Sequence, residues 1–191
     1  MPYPGALRAL ALAGTLTLMP STFAAPPVLD FSKPEAVRAF RVVNDDVMGG
    51  VSTSRLSPVA GAMRFEGTVS LDNNGGFASF RGPVRFPAGS EALSLTVRGD
   101  GRRYKLTLKL DDRPGTPQYQ AAFVAPPDWR TLHFRAGDFS ASFRGRAVEA
   151  PAVRFAEVQY VGLLISDKQA GTFRIEVKGI TTEAGASKAG N

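Results

Sequence analysis

Asn44-Asp45-Asp46-Val47-Met48-Gly49-Gly50-Val51-Ser52 decides how this chain is read, and Asp72-Asn73-Asn74-Gly75-Gly76-Phe77-Ala78-Ser79 answers it about twenty residues on. Each run of small polar residues closes on a Gly-Gly pair and then enters an alternating, strand-like segment. Gly-Gly admits positive φ and close approach of another chain. Asn and Asp just before it bond nearby backbone and hold a tight turn. Two such corners read as paired loops at one end of a β-structure. They are either turn chemistry alone or a loop surface that carries function.

Outward from the corners, the chain reads as short strands separated by turn signals. Val28 to Phe31 is an expected first strand. Ser32-Lys33-Pro34-Glu35 has the order of a helix start, with Ser as N-cap, Pro in the first turn and Glu three residues after Ser. That short helix should reach about Phe40. Val51 to Leu56 and Ala62 to Leu71 pair as a hairpin around Ser57 to Gly61, with Met63, Phe65, Gly67 and Val69 on one face. Leu93, Leu95 and Val97 alternate and stop at Gly99-Asp100-Gly101, a strong turn signal. Tyr104, Leu106, Leu108 and Leu110 then face one way, and Arg103, Lys105, Thr107 and Lys109 the other. That basic stripe is either an electrostatic contact face or a solvated surface whose charges protect a sheet edge. Further strands are expected at Gln118 to Val124, around Trp129 to Phe134, at Glu157 to Ile165 and at Gly171 to Ile180. Gly137 to Arg146 should wrap an edge. Nine to eleven short strands with Pro and Gly turns predict an all-β, jelly-roll β-sandwich with one short N-terminal helix.

The 191 residues suit one domain with a sizeable core, and 43% hydrophobic against 21% charged content argues against wholesale disorder. The first 24 residues have the order of a secretory signal: Arg8, an apolar run from Ala9 to Met19, Pro20, and small residues at Thr22 and Ala24. Cleavage near Ala24 or Ala25 would remove Arg8 and no acid, taking the formal charge from +6 to +5, and would place the chain in a bacterial periplasm. The expected domain is residues 28–182, followed by a disordered Gly/Ala/Ser/Lys tail at 183–191. The bases are scattered without an aromatic–basic pattern, which excludes a nucleic-acid reading. The sequence has no cysteine, which removes thiol catalysis, Cys-based zinc sites and iron–sulfur ligation.

His133 is the one histidine, in an apolar strand with no Ser or acid pattern beside it, and Gly-x-Ser-x-Gly is absent. No catalytic residue, cofactor or metal is therefore expected, and the chain reads as a non-enzyme. Asp45, Asp46, Asp72, Asn73, Asn74 and Asp167 offer hard oxygen ligands of the calcium type but follow no spaced calcium motif. They read as turn and cap residues.

The residues also carry a resemblance. Asn44-Asp45-x-Val47-Met48-Gly49-Gly50-x-Ser52 resembles the signature of the NADH:ubiquinone oxidoreductase complex I intermediate-associated protein 30 family. In register with it follow Phe65-x-Gly67, Asn74-Gly75-Gly76-Phe77-Ala78-Ser79, Arg98-Gly99-Asp100-Gly101-Arg102-x-Tyr104, Tyr119-Gln120-Ala121-x-Phe123, Trp129, Gly162-Leu163-x-Ile165-Ser166-Asp167-Lys168-Gln169 and Gly171-x-Phe173. The likeness runs from about Asp30 to Thr181. Asp46 departs from it, standing where the family often has Gly. The resemblance implies a galactose-binding-like jelly roll and, from mitochondrial members, an assembly or chaperone-like role towards respiratory complex I.

On that basis the expected partner is a protein, with a membrane respiratory complex as one candidate and peripheral membrane association compatible with it. The expected contact rim comprises Asn44, Asp45, Met48, Gly49, Gly50, Asn74, Gly75, Gly76, Phe77, Asp100 and Arg102. Asn44, Asp45 and Asn74 would supply polar recognition, and Met48 and Phe77 would anchor a partner or plug the core. The alternative is a carbohydrate-binding module of the bacterial envelope, with Trp129 as a stacking platform.

Overall fold

A computed structural model describes residues 27–184. The expected signal and all of the expected tail except Glu183 and Ala184 lie outside the described residues. The strands, in chain order, are β1 (Leu29–Asp30), β2 (Arg41–Asn44), β3 (Thr53–Val59), β4 (Ala62–Val69), β5 (Ala78–Pro83), β6 (Ser90–Gly99), β7 (Arg103–Lys109), β8 (Gln118–Val124), β9 (Arg130–Arg135), β10 (Ser140–Phe143), β11 (Arg146–Ala147), β12 (Tyr160–Ile165) and β13 (Gly171–Ala184). One sheet runs β3-β4-β13-β6-β9 with β1 on β13, the other β11-β10-β8-β7-β12-β5-β2, and all pairings are antiparallel. The two sheets form the expected β-sandwich.

Period-two alternation places the core between them. Met63, Phe65 and Val69 of β4, Leu93, Leu95 and Val97 of β6, and Tyr104, Leu106 and Leu108 of β7 are all essentially inaccessible. Aromatic side chains run through this interior as one connected series: Phe31, Phe40, Phe80, Phe65, Phe173, Tyr104, Phe123, Phe134, Phe139, Phe155 and Phe86. Successive ring centroids lie 4.9–6.4 Å apart, and most pairs are edge-to-face or tilted. Such pairs contribute beyond their buried area, so the Phe-rich composition is spent on the core.

Several local expectations are corrected. The helix is α1 (Pro34–Arg38), with Lys33 at its N-cap and no side-chain cap. Ser32 turns back instead, its N–H and hydroxyl donating to Asp30 Oδ1 at 3.0 and 2.6 Å. The β3–β4 hairpin closes more tightly than expected, with Val59 opposite Ala62. Pro58 is tolerated because β3 is an edge strand. Gly137 to Arg146 contributes strands rather than only a wrap, since β10 and β11 extend the seven-stranded sheet at its edge. Glu183 and Ala184 are strand, paired with Ala92 and Ser90. The basic stripe lies on β7, which is the central strand of its sheet, so edge protection does not explain it.

Antiparallel pairing brings five connections to one end of the sandwich. Asn44 ends β2 opposite Ala78 at the start of β5, and Ala78 stands opposite Ile165 at the end of β12. Val69 ends β4 opposite Gly171 at the start of β13, and Arg103 starts β7 opposite Val124 at the end of β8. The connections 45–52, 70–77, 100–102, 125–129 and 166–170 therefore form one rim.

Candidate functional site: a rim locked by a buried aspartate

The first corner begins as a 3-10 turn, Asp45–Met48, and ends at Gly49 with φ +89°. Within it Asp45 is completely buried. Its carboxylate accepts from Ser52 N–H (2.9 Å) and the Ser52 hydroxyl (2.5 Å) in its own corner. From the second corner it accepts from Gly76 N–H (2.7 Å) and Phe77 N–H (3.2 Å). The Ser52 hydroxyl oxygen in turn accepts from Ser70 N–H at 3.0 Å. Burial pushes the Asp45 pKa up, and the bonds from Ser52, Gly76 and Phe77 outweigh it, holding the carboxyl below the ordinary aspartate value.

Two glycines make room for this carboxylate. A Cβ on Gly50 would come within 2.5 Å of Asp45 Oδ1, and one on Gly75 within 2.6 Å of Oδ2. The paired Gly-Gly corners are thus the two halves of a cradle around one acid. Asn74, at φ +58°, carries the second corner over the lock. Asp46 is exposed and outside the positive-φ region, so the departure from Gly there costs no backbone strain.

Asn44, Asp100 and Arg102 are committed in the same way. Asn44 Oδ1 accepts from the Ser54 hydroxyl at 2.6 Å. Asp100 accepts from Arg102 N–H, Arg174 N–H and the Tyr104 hydroxyl. Burial first, then the Asp100 charge, pushes the Tyr104 pKa far up. The Arg102 guanidinium donates to the carbonyls of Gln169 and Ala170 at 2.8 and 3.1 Å. Gln169 holds Arg103 from both sides, accepting from its N–H and donating to its carbonyl. The rim is a set of connections tied to one another from within.

This corrects the roles expected of two residues. Asp45 is inaccessible and cannot contact a partner, and Asn44 spends its side-chain oxygen on Ser54. Met48 is 63% exposed, so it does not plug the core, while Phe77 is half-buried. The neighbours of Met48 were not among the expected rim residues. Val47, Val51 and Leu71 are also exposed, so four of the six large exposed hydrophobic residues among those described lie on the two corners joined by Asp45. A fifth, Val124, ends β8 at the same end. The signal was present in Val47-Met48, two apolar residues inside an otherwise polar turn.

On the outer face of the six-stranded sheet, His133 Nδ1 lies 2.9 Å from Ser94 Oγ and 3.0 Å from Glu183 Oε1. A Ser and an acid do stand beside the histidine, contrary to the sequence reading. They share one ring nitrogen, however, and the Ser94 hydroxyl also donates to Glu183 at 2.8 Å. A Ser–His–acid relay needs the acid on one ring nitrogen and the nucleophile on the other. Trp129, just before β9, lies under both Arg98 (4.8 Å to the ring centroid) and Lys178 (4.4 Å). Among the described residues no group of three or more His, Asp or Glu side chains is placed to hold a metal ion. No helix among them is long and apolar enough to cross a membrane.

The sequence pattern named Complex I intermediate-associated protein 30 (CIA30) matches residues 29–177, from β1 into β13. The chain belongs to this family. The residues that carried the resemblance are the ones that tie the rim: Asp45, Ser52, Gly50, Gly75, Asp100, Arg102, Tyr104 and Gln169. No curated protein matches the sequence.

Among solved structures, the fold is similar to a family 11 carbohydrate-binding module from Clostridium thermocellum in complex with a β-1,3-1,4-mixed-linked tetrasaccharide. The TM-score is 0.58 at 10% identity, over 76% of this chain and 89% of that one. It is similar to the family 11 module of the Clostridium thermocellum cellulosomal cellulase Lic26A-Cel5E, with TM-score 0.56, 12% identity and coverage of 83% and 96%. It is also similar to CtCBM11 in solution, with TM-score 0.62, 10% identity and coverage of 88% and 99%. At these identities the likeness establishes the sandwich architecture, and function is argued from the site.

Proposed function

We propose that this CIA30-family chain is a non-catalytic, protein-binding assembly or chaperone-like factor, exported across a bacterial inner membrane, that engages a respiratory or other membrane complex through its rim. The observation that carries this is the placement of Val47, Met48, Val51 and Leu71 in water on two corners that Asp45 holds rigid. Exposed aliphatic side chains grouped on a preorganised loop surface fit a protein contact, because burying them costs little conformational entropy. Asn74, exposed at the tip of the second corner, adds a polar group to that surface. The shared-nitrogen geometry at His133 supports a role without chemistry of its own.

The test is an affinity pull-down of the domain from its own envelope fraction, comparing wild type with a Val47→Ser, Met48→Ser variant and with Asn74→Ala. Recovery of a membrane protein complex that the double variant loses supports the reading. Equal recovery by wild type and variant overturns the assignment to the rim.

A second reading, a carbohydrate-binding module, is supported by the likeness to family 11 modules. Its stacking platform would be Trp129, which already has two cations over its ring. Thermal protection by a β-1,3-1,4-mixed-linked tetrasaccharide, abolished in Trp129→Ala, would move this reading to first place.

A further inference from the structure

The seven-stranded sheet carries a second polar assembly on its outer face, away from the rim and independent of it. Arg41 of β2 stands opposite Arg81 of β5, and Lys109 closes β7 two strands away. Asp112, in the following loop, reaches back to all three. Its Oδ2 lies 2.9 Å from Arg41 Nη2, and its Oδ1 lies 2.9 Å from Arg81 Nη2 and 3.8 Å from Lys109 Nζ. The adjacent Asp111 adds no free acceptor strength, because its carboxylate is taken by Arg113 and by the Thr116 hydroxyl. With the Asp111 charge offset by Arg113, one carboxylate is left to answer three cations, an excess of two positive charges.

These charges are not free in bulk water. The side chains of Lys109 and Arg81 are only 14% and 28% exposed. Burial, followed by the Arg81 charge, pulls the Lys109 pKa down, with Asp112 and then Asp111 opposing. Among the described residues the Lys109 ammonium makes no hydrogen bond, its sole ionic contact being the 3.8 Å approach to Asp112. Arg81 Nε is buried without a partner. Half-buried cations in excess of their counter-charge, with donors unspent, are in the state that an incoming oxyanion relieves. Arg41, 58% exposed, leaves the cluster open to solvent on one side.

We propose that Arg41, Arg81 and Lys109 form a binding site for a phosphoryl group, free or carried on a larger molecule. A dianion would match the excess charge, and its oxygens would accept from the Lys109 ammonium and the guanidinium donors that Asp112 leaves unused. Lys109, the last residue of the basic stripe on the central strand β7, then has a purpose that edge protection did not supply, while Lys105 of the same stripe pairs with Asp167 at the rim end.

The test titrates inorganic phosphate into the full chain at constant ionic strength, balanced with sodium chloride, by calorimetry and by thermal unfolding. The expected result is a saturable site and a phosphate-dependent rise in Tm. Arg41→Gln and Lys109→Met should each weaken Kd by about tenfold or more, the value of a charge-assisted hydrogen bond, while Lys33→Gln should leave it unchanged. Lys109→Met keeps the apolar stem and removes one excess charge, so its Tm without phosphate should hold or rise.

Co-sedimentation with phosphatidic acid vesicles against phosphatidylcholine vesicles distinguishes the source. Retention lost in Arg41→Gln assigns a lipid headgroup, and no retention beside intact phosphate binding assigns a soluble phosphate. No phosphate effect beyond that of chloride, or equal weakening in Lys33→Gln and Arg41→Gln, overturns the site.

Discussion

The carboxylate of Asp45 accepts the backbone N–H of Gly76 at 2.7 Å across 31 residues of sequence, and this bond joins the two Gly-Gly corners of the rim. With Phe77 N–H and both donors of Ser52 it makes one buried acid the common acceptor of two loops. Asp45→Ala should destabilise the domain by roughly 2–4 kcal/mol, because buried donors are left unsatisfied. Urea unfolding with a lowered midpoint and unchanged m-value would report it. A midpoint within error of wild type would show that the lock contributes nothing.

The glycines beside the acid offer a sharper check. A Cβ on Gly50 needs the space that the Asp45 carboxyl occupies, so Gly50→Ala should cost roughly 1–3 kcal/mol as overpacking. Shortening the acid to Ala removes the two closest contacts, with the carboxyl, and leaves only the 2.8 Å approach to the Cβ of residue 45. In an Asp45→Ala background the same substitution should cost less, giving a coupling energy of about 1 kcal/mol in a double-mutant cycle. Additive costs would mean that the two residues do not compete for the same volume.

Alternation along β4, β6 and β7 was legible because each strand buries one face, which writes the core directly into every second residue. The location of Lys109 was not. Whether a polar stripe lies at a sheet edge or its centre depends on which distant strands pair with it, and β7 is flanked by β8 and by β12, some fifty residues further on. The corners were legible as turns, but Asp45 reads as a surface acid until Gly76 and Phe77 are known to donate to it. A short polar residue ahead of a Gly-Gly pair marks a tight turn and a buried acceptor alike, and local sequence does not separate them. Ser94, His133 and Glu183 come from three strands, so no spacing could have joined them.

Acid should weaken the fold in a defined window. Asp45 has a folded pKa below its unfolded value of 3.8, burial being outweighed by bonds from Ser52, Gly76 and Phe77. Glu176 has one below 4.5, burial being outweighed by Arg98 and Arg64. A depressed pKa means that the unfolded state binds the proton first. The stabilisation is therefore complete above the unfolded values and is lost as pH falls through the folded ones. Urea midpoints should be flat from pH 7 to 5, begin to fall near 4.5 and steepen below 3.8. In Asp45→Asn that acid limb should be shallower, and an unchanged limb would remove Asp45 from the account.

Glu176 separates a buried acid from its exposed partners. Its side chain is 7% exposed and bridges Arg64 and Arg98 at 2.8 and 2.7 Å, yet those arginines are 32% and 47% exposed. Removing the acid leaves two cations that water can reach, so Glu176→Gln should cost only about 1–2 kcal/mol after solvent screening. Arg98 also lies over Trp129, and freeing it should shift the tryptophan emission, a readout independent of stability. A larger loss with unchanged fluorescence would indicate that packing, rather than the ion pairs, is what the acid supports.

The rim's apolar residues should show the reverse of Asp45, with little effect on stability and much on binding. Val47 and Met48 are 68% and 63% exposed, so replacing both with Ser removes almost no folded-state contact and should change stability by less than about 0.5 kcal/mol. If the corners are the partner surface, the same change deletes anchors from a rigid patch and should weaken the complex by about tenfold or more. Asp45→Ala should weaken it as well, but through loss of loop order, and only together with a fall in Tm. The two variants therefore distinguish contact from scaffold. Binding lost with Tm intact in the serine variant assigns the contact to Val47 and Met48, and binding lost in Asp45→Ala alone leaves the corners as architecture, with the partner elsewhere.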